Sequence, residues 1–310
     1  MKYFATAIAS LPLLLAACNS VNTIDDPDPD PGQSGSKLRR MAVEVLDYSP
    51  APGQFINTLP EYADGDTPAT MLRKTTEALN TGHEVSLGAW GGSITIRLSE
   101  PIENDKGGDF AVLGNAIIAG TDASGRSYGS CEPGIVEVMH DDNGNGLPDD
   151  TWFELRGEAH DASTALFTAT YHAPTDDADN NHYIKWTASD GSEGWINRVV
   201  SHHTQPFFPQ WQKATELTFT ARRLPDNGVY NDKTMRYDLY ILSGYADAWP
   251  DSDERCLLDL DDAVDSDGHS VSLRRVHFVR VTTGVLQCNG PLGEISTEVS
   301  GIAVPAASAM

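Results

Sequence analysis

Short runs in which apolar and polar side chains alternate recur along most of this chain. In the first half they are Ala42–Leu46, Glu84–Leu87, Ser93–Leu98, Phe110–Leu113, Ile135–Met139 and Trp152–Leu155. Leu166–Tyr171, Tyr183–Trp186, Glu216–Arg222, Met235–Leu242, Val271–Leu273, Val276–Val281 and Ile295–Val299 continue the series. A period of two sends successive side chains to opposite faces, so each run predicts a strand. Gly, Pro, Asn and Asp between the runs supply turns. One segment breaks the pattern. Pro68–Asn80 has Thr67 as a cap, Pro68 in its first turn, and Leu72, Ala78 and Leu79 roughly on one face, which predicts a short N-terminal helix. Many short strands with little helix predict an all-β fold, a β-sandwich or jelly roll. No internal repeat is present.

The first residues follow a different logic. Lys2 gives a thin positive start, Ala5–Leu15 is an apolar run, and Leu15-Ala16-Ala17-Cys18 resembles a bacterial lipobox. Residues 1–17 are therefore expected to be a lipoprotein signal peptide and Cys18 the lipidated residue. The run is too short to span a bilayer, which takes roughly 20 residues. Asn19, in place of the Asp that marks inner-membrane retention, favours a surface-exposed outer-membrane address. Residues 18–37, rich in Pro, Asp, Gly and Ser, read as a disordered tether. Residues 38–310 are expected to form a single domain.

Charge narrows the partners. The chain carries 45 acidic and 21 basic residues, a formal net charge of -24. That balance argues against nucleic acid and against electrostatic attachment to anionic membranes, leaving the lipid as the membrane contact. Cys131, Cys256 and Cys288 are an odd set. Cys256–Cys288 is the expected bridge, which leaves Cys131 over.

The densest chemistry lies in Asp141-Asp142-Asn143-Gly144-Asn145-Gly146-Leu147-Pro148-Asp149-Asp150. Side-chain oxygens alternate along it as they do in calcium loops, and Ca²⁺ takes six to eight oxygens around one point. Trp152 stands where the helical calcium motif has a bidentate Glu, and the flanks read as strands. The expected ligands are Asp141, Asn143, Asn145 and Asp149, completed by Asp150 or Glu154, with calcium as a structural cofactor. Asn104, Asp109, Asn115 and Glu298 form a second candidate set, against which stands ordinary turn capping. Trp186, Trp195, Phe207, Phe208, Trp211, Tyr245, Asp247 and Trp249 are candidate ligand contacts, since loop aromatics stack on a sugar or a planar macrocycle. The alternative is that they fold onto the core. His202-His203 make a poor metal pair, because neighbouring strand residues point apart. The chain has no HExxH or GxSxG motif, so no catalytic residue is nominated.

Several segments together resemble one family. They are Leu87-Gly88-Ala89-Trp90-Gly91-Gly92-Ser93-Ile94, Gly114-Asn115-Ala116, Glu132-Pro133-Gly134-Ile135-Val136, the Asp141–Leu155 loop, Gly244-Tyr245-Ala246-Asp247 and Gly293-Glu294-Ile295-Ser296-Thr297-Glu298-Val299. The chain resembles a family of Bacteroidetes-type cell-surface lipoproteins over about Val43–Val304. The resemblance implies a jelly-roll-like β-sandwich. It also implies, for part of the family, capture of corrinoids such as cobalamin beside a TonB-dependent outer-membrane transporter. The cysteines and Ala89 and Ala248 depart from the pattern. The expected function is surface capture of an extracellular small molecule. Glycan binding, glycoside hydrolysis and calcium-rigidified adhesion are the alternatives.

Overall fold

Alternation along the longest runs builds the central sheet. A computed structural model describes residues 38–200, 203–290 and 293–306. The signal segment, Cys18, the tether and His202 lie outside the described residues. In chain order the strands are β1 (Leu38–Arg40), β2 (Val43–Ser49), β3 (Val85–Ser86), β4 (Ser93–Glu103), β5 (Ala111–Leu113), β6 (Ile117–Thr121), β7 (Ser127–Ser130), β8 (Gly134–Met139), β9 (Trp152–Leu155), β10 (Thr164–His172), β11 (Ile184–Ala188), β12 (Glu193–Ile196), β13 (Glu216–Arg223), β14 (Gly228–Asn231), β15 (Arg236–Tyr240), β16 (Ala263–Val264), β17 (Arg275–Thr283), β18 (Glu298–Val299) and β19 (Gly301–Pro305). The helix α1 (Pro68–Thr81) lies between β2 and β3.

The largest sheet has six strands in the order β16-β9-β8-β17-β4-β2, with antiparallel neighbours. Val43, Val45, Ile94, Ile96, Val136, Val138, Val279 and Val281 form its buried face. Each such side chain contributes roughly 1.5–3 kcal/mol when fully buried. The intervening residues, among them Thr95, Glu137 and Arg280, occupy the opposite face. In β2 the register shifts between Val45 and Asp47, which makes Leu46 an extra residue. That bulge returns Tyr48 to the core and leaves Asp47 exposed opposite Thr95.

Helix α1 covers the buried face. Thr67 accepts the Thr70 N–H, Pro68 opens the first turn, and Gly82 closes the last at φ 75°. Its buried stripe is Met71, Thr75 and Leu79, one turn apart each time, with the expected Leu72 and Ala78 at the margins. The helix also serves the free edge of β2. Asn80 accepts the Val43 N–H at 2.9 Å and donates to the Val43 carbonyl at 2.8 Å, and Thr76 Oγ1 accepts the Val45 N–H at 3.0 Å. An edge strand satisfied in this way cannot template another chain.

The remaining strands form two four-stranded sheets, β12-β11-β10-β13 and β14-β15-β7-β6, a three-stranded sheet β1-β19-β5 and the pair β18-β3. The all-β class with one helix stands, but the jelly-roll-like β-sandwich does not. A jelly roll packs two facing sheets. Here the strands are dealt among several small, blade-like sheets. Alternation fixes which face of a strand is buried and says nothing of its neighbours. β8, for example, pairs with adjacent β9 and also with distant β17. The apolar residues accordingly fall into three clusters rather than one inter-sheet layer.

Candidate functional site

The polar face of the six-stranded sheet forms the floor of a groove of about 620 Å³, and β13 forms part of its wall. Register places five polar side chains in one row across β2, β4, β17, β8 and β9: Asp47 opposite Thr95, Thr95 opposite Arg280, Arg280 opposite Glu137, and Glu137 opposite Glu154. All five line the groove, as do Ser93 and Thr282 in the next row. Thr218, Phe219, Thr220 and Arg222 line it from β13.

Two arginine–glutamate pairs line the groove, one within this row and one between the row and β13, and they differ. Arg222 Nε donates to Glu154 Oε2 at 2.7 Å and its Nη1 to Ser163 Oγ at 2.8 Å, so Arg222 is tied at two points. Arg280 makes longer bonds, Nη1 to Glu137 Oε2 and Nε to Thr95 Oγ1, both at 3.4 Å. Its guanidinium instead lies 4.0 Å above the Trp152 ring, which fixes the plane of the fork. Burial pushes the Glu137 carboxyl up, the Arg280 charge works against that rise, and the Glu154 charge adds to it. Behind the wall, Glu154 Oε1 lies 3.9 Å from His160 Nε2, and both atoms are buried without a hydrogen-bond partner.

A second constellation lies under the loops. Ligand atoms of Glu132, Asp247 and Glu298 all fall within 4.8 Å of one another. The three arrive from different segments: two residues before β8, the loop after β15 and the start of β18. Asp247 adopts φ 51°, a left-handed conformation that Asp tolerates better than most residues. Its Oδ1 accepts the Asn115 N–H at 3.0 Å and its Oδ2 the Glu298 N–H at 3.1 Å. Glu132 Oε1 accepts the Ser296 N–H at 3.1 Å, and Ser296 Oγ donates to Glu298 Oε1 at 2.8 Å. Gly114 has to be glycine for this approach, since a Cβ there would lie 2.5 Å from Asp247 Oδ1.

Three carboxylates so close and so buried repel one another. Burial and the Asp247 charge push Glu132 up to about 8. Burial pushes Asp247 up to about 7. Burial, then the charges of Glu132 and Asp247, hold Glu298 well above its ordinary value. Either protons or a cation must neutralise the set. Three carboxylates this close could hold a divalent cation such as calcium. Oxygens on opposite sides of an ion at about 2.4 Å are about 4.8 Å apart, and three carboxylates supply up to six oxygens.

The expected calcium loop is brought together in part. Asp141 accepts the N–H groups of Asn145 and Gly146 at 3.1 and 2.9 Å, and Asn143 and Asn145 each donate to Asp149. Asp150 accepts the Asp142 N–H. Glu154 is elsewhere, held by Arg222, so the reading of it as a loop ligand is corrected. The loop is exposed and closed by its own hydrogen bonds, and Arg97 ties it to β4 through the Gly146 carbonyl.

The second candidate set is split. Asn115 and Glu298 meet at Asp247. Asn104 bonds Asp261 and the Leu273 carbonyl, and Asp109 caps the N–H groups of Asp105 and Leu260. The proposed aromatic contacts are also corrected. Phe207, Phe208, Trp211, Tyr245 and Trp249 are buried, Trp211 stacking on Tyr48 at 5.9 Å and Trp249 donating to Ser243 Oγ. Trp249 finds its polar partner inside, the Tyr245 hydroxyl is buried without a hydrogen-bond partner, and the rings fill core volume. Trp195 stays 37% exposed, and Trp186 is half-buried beside it. Cys256 and Cys288 are not bridged, and the described Cys131, Cys256 and Cys288 are all free.

Glu132, Glu137, Arg222 and Arg280 are absent from the residues nominated on sequence. Alternation does mark Glu137 and Arg280 as outward-facing members of apolar strands. Nothing local says that β8 and β17 are neighbours, which is what makes them a pair. No family model matches this chain, and no curated protein matches it.

Proposed function

We propose that this protein is a lipid-anchored surface protein that captures an extracellular small molecule in the groove between the six-stranded sheet and β13. The observation that carries this reading is the row Asp47–Thr95–Arg280–Glu137–Glu154, polar side chains set on rigid strands along the floor of a groove about 620 Å³ in volume. Ligand sites are concave, of about 300–1,000 Å³, with a few fixed polar groups. The resemblance to surface lipoproteins supports delivery to a TonB-dependent transporter, with a corrinoid as one cargo to test. Calcium is the second part of the proposal, held by Glu132, Asp247 and Glu298 as a brace between loops rather than as a participant in chemistry.

The test is native mass spectrometry of the protein incubated with spent growth medium, and calorimetric titration with cyanocobalamin. Both are run on the wild type and on Ala165→Trp, which fills the groove from an exposed position. A small molecule, cobalamin or other, retained by the wild type and lost from the variant supports groove capture. Identical spectra and no titration signal for either protein refute it.

A further inference from the structure

We infer that the groove reads neutral carbohydrate, taking adjacent hydroxyl groups of a sugar ring between the Glu137 carboxylate and the Arg280 guanidinium. This inference rests on the capture reading and names the chemical class of its ligand.

The argument starts from charge. Both arginines in the groove already face a glutamate, Arg222 at 2.7 Å and Arg280 at 3.4 Å. An anionic ligand would have to displace a glutamate from its arginine and leave that carboxylate unpaired, which is costly. The acidic chain, at -24, adds long-range repulsion against anions. An apolar ligand fares no better, because it would desolvate Glu137, Arg280, Thr95 and Thr282 and return no hydrogen bonds. A neutral ligand rich in hydroxyls meets neither penalty. Each hydroxyl both donates and accepts.

Geometry then selects adjacent hydroxyls. Glu137 and Arg280 are cross-strand partners, so an acceptor and a donor stand side by side on one face. At 3.4 Å their mutual bond is longer than the usual N–H···O range of about 2.7–3.2 Å, and Arg280 likewise reaches Thr95 only at 3.4 Å. Two neighbouring hydroxyls gain shorter bonds there, one donating to the carboxylate and the next accepting from the fork. Trp152 holds the fork in plane beforehand, so little side-chain entropy remains to be lost. Glu154 and Arg222, bonded at 2.7 Å and anchored on Ser163, mark the fixed end of the row. Phe219 offers the groove an aromatic surface for the C–H face of a ring.

The full chain is applied to an array of neutral and sialylated oligosaccharides, and hits are titrated by calorimetry. The same hits are titrated after periodate oxidation, which cleaves adjacent diols. Neutral glycans are expected to bind, and oxidation is expected to abolish binding. Glu137→Gln and Arg280→Lys are expected to weaken binding at least 10-fold, with melting temperatures showing that both variants fold. If no neutral glycan binds while a groove-dependent ligand of another class is retained, the carbohydrate inference falls and capture stands. If neither a glycan nor any other groove-dependent ligand is found, both fall. If glycans bind wild type, both variants and Ala165→Trp alike, the groove is not the site and both fall. Binding that survives periodate overturns the diol reading.

Discussion

Glu294 shows how much a single buried group can govern. It is 3% exposed, its Oε1 accepts the Gln54 N–H at 2.5 Å, and its Oε2 is buried without a hydrogen-bond partner. Burial pushes its carboxyl from an ordinary 4.5 up to about 7. The folded state therefore holds a proton that the unfolded chain releases between those two values. The stability linked to that proton is fully present below about pH 4.5 and is lost as pH rises through about 7. Glu294→Gln keeps the acceptor for Gln54 and removes the titration. At pH 8 the variant should be more stable than wild type by on the order of 1–3 kcal/mol, a difference that shrinks at pH 5. Denaturant unfolding of both proteins at the two pH values measures this. Curves that move in parallel would show that Glu294 does not titrate in this range.

At the scale of elements, two places are candidates for the proposed calcium. The Asp141–Asp150 loop is legible in the sequence because everything it needs is local: alternating oxygens, glycines at φ 71°, and backbone N–H groups within five residues of Asp141. The buried trio is illegible for the opposite reason. Glu132, Asp247 and Glu298 become one site only when the loop after β15 and the start of β18 meet the entry to β8. Their energetics also differ. The exposed loop is already closed by hydrogen bonds, whereas the trio packs three carboxylates that need protons or a cation to neutralise them. Calcium stabilises in proportion to its affinity for the folded state. The melting temperature should therefore rise in calcium over EDTA for wild type and for Asp141→Asn. For Glu298→Gln the rise should be lost, and its EDTA melting temperature should equal or exceed that of wild type because repulsion is relieved. Loss of the calcium effect in Asp141→Asn, with Glu298→Gln unaffected, would return the ion to the loop.

At the scale of the molecule, the same locality decides what the sequence discloses. Alternation in Ser93–Leu98 and Val276–Val281 marks both as strands with one apolar face. It does not make them partners, and it leaves the split into small sheets unseen. Helix α1 is legible through Thr67, Pro68 and its apolar spacing. The groove is not, since its wall comes from β13 and its floor from five other strands. What joins these distant parts can be followed one amide at a time. The N–H groups of Asn115, Ser296 and Glu298 donate to Asp247, Glu132 and Asp247 respectively, so each reports directly on the trio. Those of Asn145 and Gly146 donate to Asp141 and report on the exposed loop. If calcium braces the trio, removing it frees three mutually repelling carboxylates, and the segments that carry them separate together. Hydrogen exchange should then accelerate at Asn115, Ser296 and Glu298 at least 10-fold in EDTA, in concert, because these amides share one local opening. Asn145 and Gly146 should change little. Acceleration confined to Asn145 and Gly146 would assign the ion to the loop, and unchanged exchange at all five would remove calcium as a brace.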